Sequence, residues 1–494
     1  MALFLYICIL YKMFNVFFLI SENAMRKVLL LVACIVSLGT FAQKQESNTA
    51  VNQYGVKVSS IPLKPSAQNE ILVLENKEKG YKFWMDNRVQ FDGATYFNLK
   101  NGMLVNGKPT LAGGVSMRRV RSAIKAQVNE DWYGEVDLNF SNGVFELEDA
   151  YVQFSGLKNF EFKAGNFKED FSMEETTTSR YTTFMERAMV VSTFAPGRHI
   201  GMQAQWQKFD WLRASAGVSW QLVDNAETRY NVEEYNKLGK GMGANYTGKI
   251  VLMPWASNEF QGVHIGYNAS YRSPQKTDDN YIDGDNVVGR GYNGNYFSTR
   301  NATAINRTKF ISCEYYGIKY DLLQGYELGG YKDGFRFNGE VITNTSVMDK
   351  NFTGATANDK TKFFWGYYVQ SSYLLFGGKQ RYDVTQSEFT QPIRGRKWGD
   401  IELMARFDYL NLNSEDIYGG SGQNIALGVV FHVNNNVKML LNYQISQNDK
   451  YANNKGKAVI GKDINGEYTS NPKLAASDFG ARFNTLQARI EIDF

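Results

Sequence analysis

Apolar and polar residues alternate along most of this chain. Leu212, Ala214, Ala216, Val218 and Trp220 interleave with Arg213, Ser215, Gly217 and Ser219. Val263, Ile265, Tyr267, Ala269 and Tyr271 interleave with His264, Gly266, Asn268, Ser270 and Arg272, and the last residues, from Leu486 to Phe494, do the same around Gln487, Arg489, Glu491 and Asp493. A period of two places successive side chains on opposite faces of a strand. The pattern predicts strands near 81–99, 115–128, 132–141, 147–155, 159–167, 199–207, 211–221, 246–253, 261–272, 308–320, 334–343, 362–376, 400–411, 423–433, 436–446 and 483–494. The count is even, and connections alternate between short (129–131, 156–158, 208–210, 254–260, 434–435) and long (168–198, 222–245, 273–307, 344–361, 447–482). Such parity predicts an all-β fold, a 16-stranded antiparallel transmembrane β-barrel with long extracellular loops and short periplasmic turns. Two inner connections, 321–333 and 377–399, are too long for the scheme, so a strand pair near 320–400 is open to reassignment. A soluble two-sheet sandwich would have to stack its apolar faces; closure into a barrel removes the sheet edges instead.

Composition sharpens this picture. Residues 25–42, MRKVLLLVACIVSLGTFA, read as a secretory signal with a basic start, an apolar run and small residues before Gln43. Met25 is then the expected true start, cleavage follows Ala42, and 1–42 forms the signal region. Residues 43–78 are polar and read as a periplasmic extension, with the barrel domain spanning 79–494. Removing the leader takes Cys8 and Cys34 with it and leaves Cys313, so there is no disulfide framework. A formal net charge of +4 gives no pull toward nucleic acid. The chain holds 30 Tyr, 33 Phe and 45 Gly but 8 Pro, a balance that suits strands with one face in lipid and one in water.

The chemistry lies on the polar faces. In 117–127, MRRVRSAIKAQ, strict alternation puts Arg119, Arg121 and Lys125 on one face with Gln127, and leaves Arg118 out of phase, at a rim or an interface. A basic residue at the midplane of a barrel's lipid face costs roughly 2–4 kcal/mol, so the cationic face lines the lumen. Arg213 and Arg272 join it from other strands. These five are candidate anion guides; neutralisation by Glu135, Asp137 and Glu148 is the competing expectation. The long segment 168–198 is placed to fold inward as a constriction carrying Arg180, Glu186, Arg187 and Arg198. His199, His264 and His432 lie in no Ser, Asp or Glu motif that would make a hydrolase, DDNYIDGDN at 278–286 fails the calcium-loop pattern at Tyr281, and no phosphate-binding GxxxxGK[ST] loop occurs near the Gly-rich 239–245. No enzyme, metal or cofactor is expected.

Several stretches in order resemble the phosphate-selective porins of the O and P type: RVQFDGA at 88–94, SMRRVR at 116–121, LEDAYVQF at 147–154, GNFKEDFSMEETTTS at 165–179, FMERAM at 184–189, APGRHIGMQ at 195–203, WGDIELMARFDYLNL at 398–412, NVKMLLNYQ at 436–444 and LQARIEIDF at 486–494. The resemblance implies a homotrimeric outer-membrane porin of a Gram-negative bacterium, with arginines steering small, phosphate-like anions to a third-loop constriction. Arg118–Arg119 and Arg187 match the family's motifs; its lysine cluster matches none here. A final aromatic, Phe494, resembles the signal read by the outer-membrane assembly machinery. The alternatives are a general diffusion pore without phosphate preference, and a receptor or adhesin with long surface loops.

Overall fold

The computed structural model describes residues 49–494 apart from 101–102, 106–107, 221–242, 256–259, 274–281, 284–285, 288–293 and 350–359. The signal region, most of the fourth loop and most of the acidic 278–286 segment lie outside the described residues. Contacts divide the chain after Pro62. The first unit holds a small hairpin, Thr49–Val51 with Lys57–Ser59.

The second unit is a closed barrel. Its strands are β1 (Tyr81–Lys100), β2 (Gly114–Val128), β3 (Trp132–Asn139), β4 (Glu146–Leu157), β5 (Phe160–Lys168), β6 (Arg198–Phe209), β7 (Leu212–Ser219) and β8 (Asn245–Leu252). They continue with β9 (Gln261–Arg272), β10 (Ile318–Lys332), β11 (Phe335–Met348), β12 (Lys362–Leu374), β13 (Asp400–Ser414), β14 (Ile417–His432), β15 (Val437–Asp449) and β16 (Phe479–Asp493). Each pairs antiparallel with its neighbour, and β16 closes on β1 from Arg482 opposite Lys100 to Asp493 opposite Arg88. The sixteen-stranded expectation is met.

Burial is inverted relative to a water-soluble protein. On β16, Leu486, Ile490 and Ile492 are exposed while Gln487, Arg489 and Glu491 are buried. On β9 and β10 the same split exposes Ile265 and Leu328 and buries His264, Asn268 and Glu327. Apolar side chains facing out and polar ones facing in are what a membrane barrel requires, because lipid tolerates no unpaired charge and the lumen is wet.

Two boundaries differ from the sequence pattern. Residues 311–316 are not barrel wall; they pair with Gly294–Thr299 as a hairpin of the fifth loop, and the wall strand is β10 at 318–332. The supposedly long inner connection 321–333 is therefore strand, and the turn itself is Asp333–Gly334. Connection 375–399 is long as read, and it contains the short hairpin Lys379–Asp383 with Glu388–Ile393. Part of the expected N-terminal extension joins the barrel unit: Lys64–Gln68 pairs with Ile71–Asn76, which adds to β1 at Tyr81–Trp84. The tip of this hairpin reaches the far turn, where Asn436 Nδ2 donates to Asn69 O at 3.0 Å.

One wall of the lumen is apolar. Met189, Val190, Val191 and Phe194, in a short helix of the third loop, pack with Phe310 and Tyr315 of the fifth loop against Phe364, Tyr368 and Leu410 from the strands. This inward core holds two loops inside the barrel.

Candidate functional site

Loop 169–197 leaves β5, crosses the lumen and returns to β6. Its anchors sit on distant strands. Arg489 on β16 donates to Met185 O at 2.9 Å, Arg406 on β13 donates to Glu186 O at 2.8 Å, and the Glu174 N–H donates to Glu340 on β11 at 2.8 Å. Each of the four residues singled out from the sequence for this loop has a partner, but Arg198 is the first residue of β6 and belongs to the wall, not to the loop. Arg180 joins Asp86 and Asp493, tying the loop to both sides of the β1–β16 seam. Glu186 accepts from Arg118 at 2.7 and 2.9 Å and from Arg489 at 3.1 Å. Arg187 donates to the carbonyls of Glu174, Glu175 and Thr177 and sits 3.2 Å from the Glu175 carboxylate, so it closes the loop on itself. Arg198 grips Asp149 and reaches Glu148. Burial raises the Glu186 carboxyl, but the Arg118 guanidinium, helped by Arg489, more than reverses this and holds it well below the usual carboxylate range.

Arg118 does not lie at a rim. A β-bulge separates Arg119 opposite Gln90 from Met117 opposite Phe91. The extra residue shifts the phase, so Arg118 and Arg119 both turn inward. The order of the parity supports this: Val115 and Met117 are odd-numbered and apolar, and Arg119 is odd-numbered and cationic, so one face cannot hold all three.

The five expected lumen cations divide into two kinds. Arg121 pairs with Glu148 and approaches Asp137 at 3.7 Å; Lys125 lies 3.1 Å from Asp86 and 3.5 Å from Glu135. Arg213 holds Asp170 at 2.6 Å and Gln205 at 2.6 Å, and Arg272 brackets Glu169 from 3.0 Å. These four are spent on carboxylates, and the last two fasten the root of the inward loop. Arg119 is different. It is 7% exposed, donates to Gln90 Oε1 at 2.8 Å and has no carboxylate within 4.0 Å among the described residues.

Two cavities of about 320 Å³ each lie inside the barrel. The outer one is bounded by the third and fifth loops and includes Arg118, Arg300 and Lys309. The inner one runs along β1 to β7 and includes Lys163, Arg198 and, from the 379–393 hairpin, Glu388. Arg119, Ser179 and Arg187 line both, which places them at the waist between the chambers. The inner lining has ten basic and six acidic residues, and the outer has five basic and two acidic. The hairpin is moored inside the barrel: Gln205 Nε2 donates to Thr385 O at 3.0 Å, and Tyr382 meets His264 at 2.6 Å. Arg489, Arg300, Lys309 and Lys163 were not singled out from the sequence; Arg118 was, through its broken parity, but was placed at a rim or an interface instead of on the inward face. Phe494 is half-exposed at the end of β16 and exchanges two backbone hydrogen bonds with Asn87.

A closed barrel with an apolar outside and a charged, partly filled lumen is a membrane channel. The chain matches the model of the phosphate-selective porin O and P family over residues 83–466 and belongs to that family. It is 26% identical over 416 residues to Porin O of Pseudomonas aeruginosa, covering 78% of this chain and 87% of that one. It is 22% identical over 450 residues to an uncharacterized protein of Caulobacter vibrioides, covering 89% and 80%. Among solved structures it is similar to an anion-selective porin from Comamonas acidovorans, with a TM-score of 0.46, 11% identity, and 84% and 100% of the two chains covered. It is similar also to an outer membrane channel of Acinetobacter baumannii, with a TM-score of 0.46, 8% identity, and 85% and 99% covered. The protein is an outer-membrane porin.

Proposed function

We propose that this porin passes small anions, phosphate among them, by passive diffusion, with the third loop as the constriction and Arg119 as its selective group. The observation that carries this reading is the spare charge of Arg119 at the waist. A cation already paired with a carboxylate offers a passing ion little net field; an unpaired one in a narrow, low-dielectric passage attracts anions and repels cations. Arg300 and Lys309 in the outer chamber and Lys163 in the inner one likewise have no carboxylate within 4.0 Å among the described residues, so unpaired cations mark the route on both sides of the waist. The planar fork of arginine suits the oxygens of phosphate, and weak, multiple sites permit release as well as entry. The pairing of Arg121 and Lys125 favours the second reading, a general anion pore with no phosphate preference. Passage needs no catalytic group. A homotrimer and recognition by the assembly machinery accompany this function.

Reversal potentials across planar bilayers in a salt gradient test it. The wild type should prefer chloride to potassium, and Arg119→Gln should reduce that preference several-fold, since one charge at about 4 Å is worth roughly 1 kcal/mol even in water. A cation-selective wild type overturns the reading. Block of chloride current by phosphate separates the phosphate channel from the general one.

A further inference from the structure

The inner chamber carries a feature that small inorganic anions do not use. Aromatic rings line neighbouring strands on the lumen side. Tyr133 on β3 lies 5.9 Å from Tyr151 on β4, and Tyr151 lies 6.2 Å from Phe167 on β5, between ring centroids. Trp84 of β1 extends the series, 6.0 Å from Tyr133. Outward aromatics on a barrel meet lipid; of this series, Tyr151 and Phe167 line the inner chamber directly. Lys163 stands over them, its Nζ 4.9 Å from the Tyr151 ring and 5.6 Å from the Phe167 ring. Among the described residues it has no carboxylate within 4.0 Å, so its charge is available to a ligand. The two tyrosine hydroxyls are already committed to Glu135, at 2.6 and 3.0 Å, which fixes the rings and leaves their faces as the usable surface.

An anion held at Lys163 would therefore have its substituent beside two immobilised rings. We propose that the inner chamber is a subsite for organic phosphate monoesters, in which Lys163 takes the phosphate and Tyr151 with Phe167 takes a planar or apolar ester group. This rests on the anion-channel reading and narrows its substrate class. Aromatic contacts of this geometry correspond to about a three- to tenfold gain in affinity.

The test is block of chloride current through the full-length porin in planar bilayers by phenyl phosphate and by methyl phosphate, which carry the same charged group. Phenyl phosphate should act at a concentration about three- to tenfold lower. Tyr151→Leu with Phe167→Leu should erase that difference, so that the two esters block at the same concentration. Equal block by the two esters in the wild type, or a difference that survives in the double variant, overturns the subsite. Phe167→Leu alone, expected to shrink the difference, serves if the double variant does not insert. The reversal potential of the same membranes reports separately on anion selectivity, so a failure of that reading is distinguishable from a failure of the subsite.

Discussion

Glu186→Gln should loosen the tip of the inward loop and strengthen anion preference together. The Glu186 carboxylate joins Arg118 of β2 to Arg489 of β16, the two strands that flank β1. Glutamine keeps the shape and removes the charge. Arg489 retains Asp92 at 2.7 and 2.8 Å and loses little. Arg118 loses its carboxylate partner, and no other lies within 4.0 Å of it among the described residues. Breaking a fully buried pair costs about 3–5 kcal/mol, but the Arg118 side chain is 31% exposed and lumen water can take over part of its solvation. The weaker range for a charged hydrogen bond, about 1.5–3 kcal/mol, is the better guide. That raises the undocked population of the loop tip by about 10- to 150-fold. The rest of the loop stays anchored through Arg180 on Asp493 and, at its root, through Glu169 on Arg272 and Asp170 on Arg213. Single-channel recordings should show added flicker without collapse of the barrel, and the chloride preference should rise because an acid has left the outer chamber. The pH dependence has the matching sign. Glu186 is held below its ordinary range in the folded state, so its tether is complete above the ordinary carboxylate pKa and is lost only as pH falls through the depressed value. Wild-type current should therefore stay free of this added flicker at pH 5. A variant as quiet as the wild type, with unchanged selectivity, would falsify the tether.

Deleting Phe494 should lower the amount of inserted protein in cells, read by surface labelling, more than it changes the conductance of the pores that form; the reverse would reduce Phe494 to a passive contact. Gly165→Ala should block barrel formation, because Gly165 has φ +136 and an added Cβ would lie 2.3 Å from Ala150 O; a heat-modifiable gel band of normal intensity would contradict this. Replacing residues 379–393 by a short Gly-Ser turn should raise single-channel conductance, since the hairpin is moored in the lumen through Thr385 and Tyr382; unchanged conductance would place the hairpin outside the ion path.

Alternation made the wall legible because lipid permits few exceptions on one face. It failed around 308–333, where physical context differs. The fifth-loop hairpin at 311–316 alternates as well as any wall strand, but its partner is Gly294–Thr299. Local periodicity records that two faces differ and does not record which strand lies alongside. The apolar wall under the third loop was hidden for a related reason. Phe363, Phe364 and Trp365 put aromatics on both faces of β12, outward to lipid and inward to the Met189–Phe194 helix. A run apolar on both faces says that the strand is covered twice and is silent on what covers it.

The site was harder still, because charge in a barrel lumen is a property of pairs. Arg119, Arg121 and Lys125 are equivalent in the alternation, and their neighbours decide their fates. Register sets Lys125 opposite Glu135 and Arg121 opposite Asn139, and Glu148 reaches Arg121 from one strand further. Arg119 faces Gln90, a neutral residue, on β1 and has no carboxylate within 4.0 Å among the described residues. Arg489 and Asp92 are separated by almost the whole chain and meet because β16 closes on β1. Their mutual pairing frees Glu186 to hold Arg118, which in turn leaves Arg119 as the spare cation. The selectivity proposed for this waist therefore depends on closure of the barrel: a one-residue slip at the β1–β16 seam would exchange the inward and outward faces there, separate Asp92 from Arg489 and redistribute the charge that an ion meets.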